Sequence, residues 1–119
     1  MLPLKNRLRK NKDFETVFRK GRGVSVGPVF LKFLENGLGV SRVGISVGLK
    51  FSTRAVKRAL ARRRLREIFH QQIAFILPGF DIVVVPQGKF DQAGPSLSNL
   101  SSFVITALKK ANLTIKNKK

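Results

Sequence analysis

Residues 42–70 read RVGISVGLKFSTRAVKRALARRRLREIFH. The opening RVGISVG (42–48) has the apolar-and-small pattern of a strand. After Lys50 the period changes. Ser52 or Thr53 offers an N-cap, and a helix is predicted from there to about residue 76, where Pro78 and Gly79 stop it. At 3.6 residues per turn, Ala61, Leu65, Ile68, Phe69, Gln72 and Ile76 gather on one side, the predicted core face. FDIVVVP (80–86) then reads as a buried strand, apolar throughout its middle. A helix carried between two strands of one sheet predicts a small α/β sandwich with helices covering a sheet.

The flanks complete the pattern. KNKDFETVFRKG (10–21) is predicted as a short helix, with Asn11 as N-cap, Asp13 and Glu15 at its positive end and Gly21 at its stop. Phe14, Val17 and Phe18 share one face of it. VFLKFL (29–34) alternates as a strand, and ENGLG (35–39) is a turn. Residues 87–96 read as loop. Residues 97–111 read as a last helix, with Leu97, Leu100, Val104 and Leu108 on one side. No repeat and no second hydrophobic unit is visible, so residues 1–119 are expected to form a single domain, with a disordered basic tail from about residue 113.

Lys and Arg number 24 against six acids, a formal net charge of +18. A field of that size and sign favours a polyanion, either nucleic acid or an anionic membrane surface. The absence of cysteine excludes disulfides and thiolate chemistry. No apolar run approaches the roughly 20 residues that span a bilayer. The basic start MLPLKNRLRK has no apolar stretch after it, so a cytoplasmic protein is expected.

Within residues 55–70, six of sixteen side chains are Lys or Arg, and Glu67 is the only acid. Arg58 with Arg62, and Arg62 with Arg66, are like-charge pairs four apart, each costing about 0.2–0.5 kcal/mol in an isolated helix. A solvated face mixes its signs; this one does not. Phosphates lying along the helix would remove the repulsion. The six acids, Asp13, Glu15, Glu35, Glu67, Asp81 and Asp91, are spread over different elements. Metal-assisted phosphodiester cleavage needs carboxylates gathered around its ions. No catalytic residue and no metal site is therefore assigned, and His70, the only histidine, has no evident partner.

The combination of RVGISVG, Lys50 and AVKR…RRRLRE resembles the protein subunit of bacterial ribonuclease P. That family carries a strand V-G-[IL]-[ST]-V, one or more lysines, and a helix A-V-x-R-N-R-[IV]-K-R-x-x-R-E. Val43, Gly44, Ile45, Ser46, Val47, Lys50, Ala55, Val56, Arg58, Arg62, Arg63, Arg66 and Glu67 match it. RLRKNKDFETVFRKG is similar to the family's first helix, and GFDIVVVP to its last strand. The chain departs from the pattern at Ala59 and Leu60, where the family has Asn and Arg; of the Arg-Asn-Arg signature only Arg58 remains.

The resemblance implies a ribosomal-S5-domain-2-like two-layer α/β (α+β) sandwich: a four-stranded sheet, three helices and a left-handed βαβ crossover. It implies an RNA-binding subunit that assists a catalytic RNA in removing the 5′ leader of precursor tRNA, with Mg²⁺ held mainly by the RNA. Catalytic-RNA contacts are expected from Lys50, Arg54, Lys57, Arg58, Arg62, Arg63 and Arg66. A leader cleft is expected from Phe14, Phe18, Phe30 and Lys32, where Phe stacks on unpaired bases and Lys meets phosphate. Phe14 and Phe18 taken alone read first as core. The expected partners are the catalytic RNA, bound one to one by a monomer, and precursor tRNA, with no membrane. The rival reading is another small basic RNA-binding module, such as a ribosomal protein or an RNA chaperone.

Overall fold

The computed structural model describes residues 2–49, 51–87 and 100–115. Along the chain come helix α1 (Asn11–Lys20), strands β1 (Arg22–Val26), β2 (Val29–Glu35) and β3 (Arg42–Ile45), helix α2 (Ala55–Gln72), strand β4 (Phe80–Pro86) and helix α3 (Leu100–Lys110). Short 3-10 turns lie at Leu4–Asn6 and Ile73–Phe75. The strands form one mixed sheet in the order β1-β2-β4-β3. β2 is antiparallel to both β1 and β4, whereas β3 runs parallel to β4. Parallel neighbours need a long crossover, and α2 supplies it.

Period-two alternation sorts β2 between the two faces. Val29, Leu31 and Phe33 point into the main core, where they meet Leu65 and Phe69 of α2 and Leu100, Val104 and Leu108 of α3. Phe30, Lys32 and Leu34 point the other way, to the face that α1 crosses. There Val17 packs on Val83, with Phe14, Leu34 and Val85 around them. β4 is central, with neighbours on both edges and helices over both faces, so Ile82, Val83 and Val84 are all fully buried. That is why its sequence is apolar without alternation.

Several boundaries differ from expectation, each for a local reason. β1 was not visible in the pattern: only Val24 and Val26 point inward along an edge strand that opens Arg-Gly. Its hairpin to β2 turns on Gly27 and Pro28, with Gly27 at φ 55, a conformation that favours glycine. Lys10, not Asn11, holds the N-cap position of α1, and no side chain caps it. Ser52 does not cap α2 directly. Its Oγ accepts the Arg54 N–H at 3.1 Å, a turn that delivers the chain to a helix beginning at Ala55. β3 stops at Ile45 rather than 48, although Ser46 N–H still donates to Val84 O at 3.0 Å. Leu97 lies outside the described residues.

Residues 113–115, expected in the tail, are the last of the described residues. Leu113 is buried, Leu77 N–H donates to its carbonyl at 2.7 Å, and Ile115 N–H donates to Phe75 O at 2.7 Å. Residues 113–115 therefore pair with the segment after α2 and belong to the fold; the alternating Leu113 and Ile115 were the signal.

Gly21 ends α1 for a reason other than a left-handed turn. Its φ is −80, and its N–H donates to Val17 O at 2.8 Å. A Cβ there would stand 2.6 Å from Val17 O and 2.7 Å from Phe33 O, both backbone atoms that cannot swing away. Gly21→Ala is expected to destabilise the domain by about 3 kcal/mol, the upper part of the range for overpacking. A denaturant midpoint equal to that of the parent would show that the helix–sheet junction is looser than this.

Candidate RNA interface

α1 packs on β2 and β4 and is fixed at both ends. At the start, Arg42 on β3 makes a two-pronged bond to Asp81 on β4, Nε to Oδ1 at 2.8 Å and Nη2 to Oδ2 at 2.6 Å. Asn36 Nδ2 also donates to Asp81 Oδ1 at 2.8 Å. The hydrogen bonds from Arg42 to Asp81 hold its guanidinium above the ordinary arginine value against the cost of burial, with the charges of Asp81 and Asp13 adding to the effect. Its third nitrogen reaches Asp13 Oδ2, in the first turn of α1, at 3.6 Å. At the other end, Lys32 Nζ donates to Phe18 O at 2.8 Å and lies 3.4 Å from Gly21 O. A cation there meets the negative end of the helix dipole.

This mounting divides the phenylalanine pair. Phe14 lies half-buried over Gly44 of β3, so close that a Cβ on Gly44 would come within 2.5 Å of its ring. Phe18, one turn on, is 39% exposed. Phe30 is half-buried on the same strand face as Lys32. Of the four expected cleft residues, the structure joins Phe18 to Lys32 by a hydrogen bond, sets Phe30 two residues along from Lys32, and turns Phe14 toward a neighbouring cavity.

That cavity is a cleft of about 390 Å³ lined by Leu2, Arg7, Leu8, Arg9, Phe14, Val43, Gly44, Ile45 and Arg66. The N-terminal segment forms one wall, because Arg7 bridges to Val43 in parallel and Leu8 N–H donates to Val43 O at 3.0 Å. Arg7 Nε donates to Leu2 O at 2.8 Å. Three arginines and one aromatic ring over an apolar floor suit a nucleotide: phosphate on the guanidinium groups, base on the ring. Sequence reading did not assign Arg7 and Arg9. The alternation of Arg7, Leu8 and Arg9, one residue in and two out, was the available signal.

α2 buries Ala61, Leu65 and Phe69, as its spacing predicts, while Ile68 and Gln72 are only half-buried. Arg54, Arg63 and Arg66 are exposed, Arg62 and Lys57 partly so. Arg58 differs. It lies seven residues before Leu65, on the core side of the helix, and its Nη1 donates to Ser52 O at 3.0 Å. It ties the start of α2 to the preceding turn, and that N–H is not available to phosphate. Lys50 lies outside the described residues. No acid stands in the first turn of α2, so nothing offsets the positive end of its dipole there. Arg66 borders both surfaces: it lines the cleft beside Phe14 and also the outer groove of α2. Among the described residues, no three of His, Cys, Asp or Glu are placed to hold a metal ion, and no helix is long and apolar enough to cross a membrane.

A family model described as Ribonuclease P matches residues 2–112. The ribonuclease P protein component of Thermotoga petrophila is 40% identical over 88 residues, covering 74% of each chain. That of Alkaliphilus oremlandii is 33% identical over 108 residues, 91% of this chain and 92% of the relative. The solved RNase P protein of Staphylococcus aureus superposes with a TM-score of 0.81 at 28% identity, over 91% of this chain and 96% of that one. With the sheet order, the basic crossover helix and the arginine-lined cleft all in place, these matches lead to one conclusion: the chain belongs to the ribonuclease P protein family.

Proposed function

We propose that α2 holds the catalytic RNA, while the cleft beside α1 receives the 5′ leader of precursor tRNA. Ribonuclease P is a tRNA-processing endoribonuclease with an RNA catalytic subunit, and the family makes this chain its protein component. An unrelated basic RNA-binding module is not favoured. The observation that carries the division of labour is the position of Arg66, on the border between cleft and helix face. One guanidinium there stands within reach of two RNA segments.

In this reading Arg54, Lys57, Arg62, Arg63 and Arg66 meet phosphates of the catalytic RNA, together with Lys50 and, more weakly, Arg58. Phe18, Phe30 and Lys32, with Phe14 at the cleft wall, meet the leader. Mg²⁺ is assigned to the RNA. On the protein side Asp13 and Asp81 already face Arg42, and among the described residues no group of His, Cys, Asp and Glu is placed to hold the ion. The protein acts as a single domain and a monomer, one per RNA, in the cytoplasm.

The test compares precursor with mature tRNA on the reconstituted holoenzyme. Phe18→Ala is expected to weaken precursor binding about tenfold, the loss of one base–aromatic contact. It should leave mature tRNA binding and the melting temperature nearly unchanged. Phe14→Ala removes a ring that also packs the small core, so it is expected to lower stability as well, by about 3 kcal/mol. Equal loss for both tRNAs in the Phe18 variant would remove the leader from the Phe18–Lys32 surface beside α1.

A further inference from the structure

Three apolar residues stand on the side of α2 that faces away from the core. Val56 is 80% exposed, Ala59 is exposed and Leu60 partly so. Ala61, Leu65 and Phe69 supply the packing on the opposite side, so the fold does not require this patch. Val56, Ala59, Leu60, Arg63, Arg66 and Glu67 line a groove of about 660 Å³. Val56 and Leu60 form its floor one helical turn apart, and Arg63 and Glu67 continue the same line. Val56 belongs to the pattern of the resembling family, whereas Leu60 occupies the place of an arginine there, so the Leu60 part of the floor is where this chain departs from that pattern.

We infer that the groove receives an unpaired nucleobase of the catalytic RNA, its flat face on Val56 and Leu60 and its phosphate on Arg63 and Arg66. This rests on the reading of α2 as the RNA-bearing helix. The charge around the patch selects the occupant. A second copy of a chain with net charge +18 would bring arginines against arginines. A membrane-binding face needs an apolar stripe several turns long, and this one spans a single turn. A nucleotide supplies a flat apolar face beside a negative group. Among the described residues Glu67 has no ion-pair partner. It repels phosphate from its end of the groove and offers an acceptor to the amino group of a base, a pairing familiar for cytosine.

Salt dependence separates this contact from the phosphate contacts. Binding of full-length ribonuclease P RNA is measured from 50 to 200 mM salt for Val56→Ser, Leu60→Ser, Arg63→Ala and Arg66→Ala. Each serine variant is expected to lose about fivefold in affinity at every salt concentration, with the log–log slope unchanged, because burying an apolar face releases no counterions. Each arginine variant is expected to lower the slope by about one. Serine variants that bind like the parent, while the arginine variants lose slope, overturn the inference and leave the proposed function standing. If neither set changes binding, the RNA lies elsewhere and both fall. Serine variants that alter only the sedimentation mass would assign the groove to a second copy. Should Leu60→Ser lower the melting temperature, Val56→Ser alone decides, since its side chain is almost wholly in solvent.

Discussion

Raising the salt from 50 to 200 mM is expected to weaken binding of ribonuclease P RNA about a thousandfold. The cations proposed on α2 and its approach are Lys50, Arg54, Lys57, Arg58, Arg62, Arg63 and Arg66, and six to ten phosphate contacts produce a loss of about 10³–10⁵ over that interval. The lower end applies because Arg58 has spent part of its guanidinium on Ser52 O. The single variants sharpen the expectation. Arg62→Ala should reduce the slope by about one, like the exposed Arg63 and Arg66. Arg58→Ala should reduce it by less and instead loosen the first turn of the helix, which amide exchange would report. A slope near zero in the parent would mean that binding is not carried by phosphates, and the reading of α2 would fail.

The second large effect is on stability. Arg42→Ala is expected to cost about 3 kcal/mol, near the lower end for removing one partner of a buried ion pair. Asp81 is 7% exposed and, among the described residues, would keep only the Asn36 amide as a side-chain partner. The lower end fits because Arg42 itself is about a quarter exposed. For a chain of this size the melting temperature should fall by about 10–15 °C. The same change frees the start of α1, since Asp13 loses the guanidinium that holds it to β3. Leader-dependent binding should therefore fall with stability. The double change Arg42→Met with Asp81→Leu removes the uncompensated carboxylate and is expected to recover most of the stability without restoring the tie to Asp13. If Arg42→Ala melts within a degree or two of the parent, the ion pair is not a structural clamp.

Long elements with a strong period were legible in the sequence. The core side of α2, the apolar run of β4 and the helix around Phe14 follow from spacing alone, because burial there is dictated by 3.6-residue or continuous apolar patterning. β1 was not legible from pattern. An edge strand covered by one helix needs only two inward residues, and Val24 and Val26 are too few to mark a period. The different fates of Phe14 and Phe18 were also hidden. Both occupy one side of α1, but Gly44 lies under the first and open sheet beside the second, a difference set by a strand some thirty residues away.

The Arg58 tie was half visible: counting back seven from Leu65 puts it on the inner side of the helix, yet its place in a basic run suggested an outward role. The Arg42 clamp required two distant strands to be set side by side. Its only sequence trace was a carboxylate, Asp81, at the head of an apolar strand, where burial demands a cationic partner. Arg7 and Arg9 went unassigned because the N-terminal segment acquires its wall position only by pairing with Val43.

The most direct measurement is cleavage of precursor tRNA by ribonuclease P RNA at low Mg²⁺, with and without the protein. Cationic side chains on α2 and a leader cleft beside α1 should replace part of the charge screening that Mg²⁺ otherwise supplies, so addition of the protein is expected to raise cleavage strongly. The protein freed of RNA by nuclease treatment should show none. Cleavage that is the same with and without the protein, by an RNA that is active at high Mg²⁺, would contradict this assignment of α2 and the cleft.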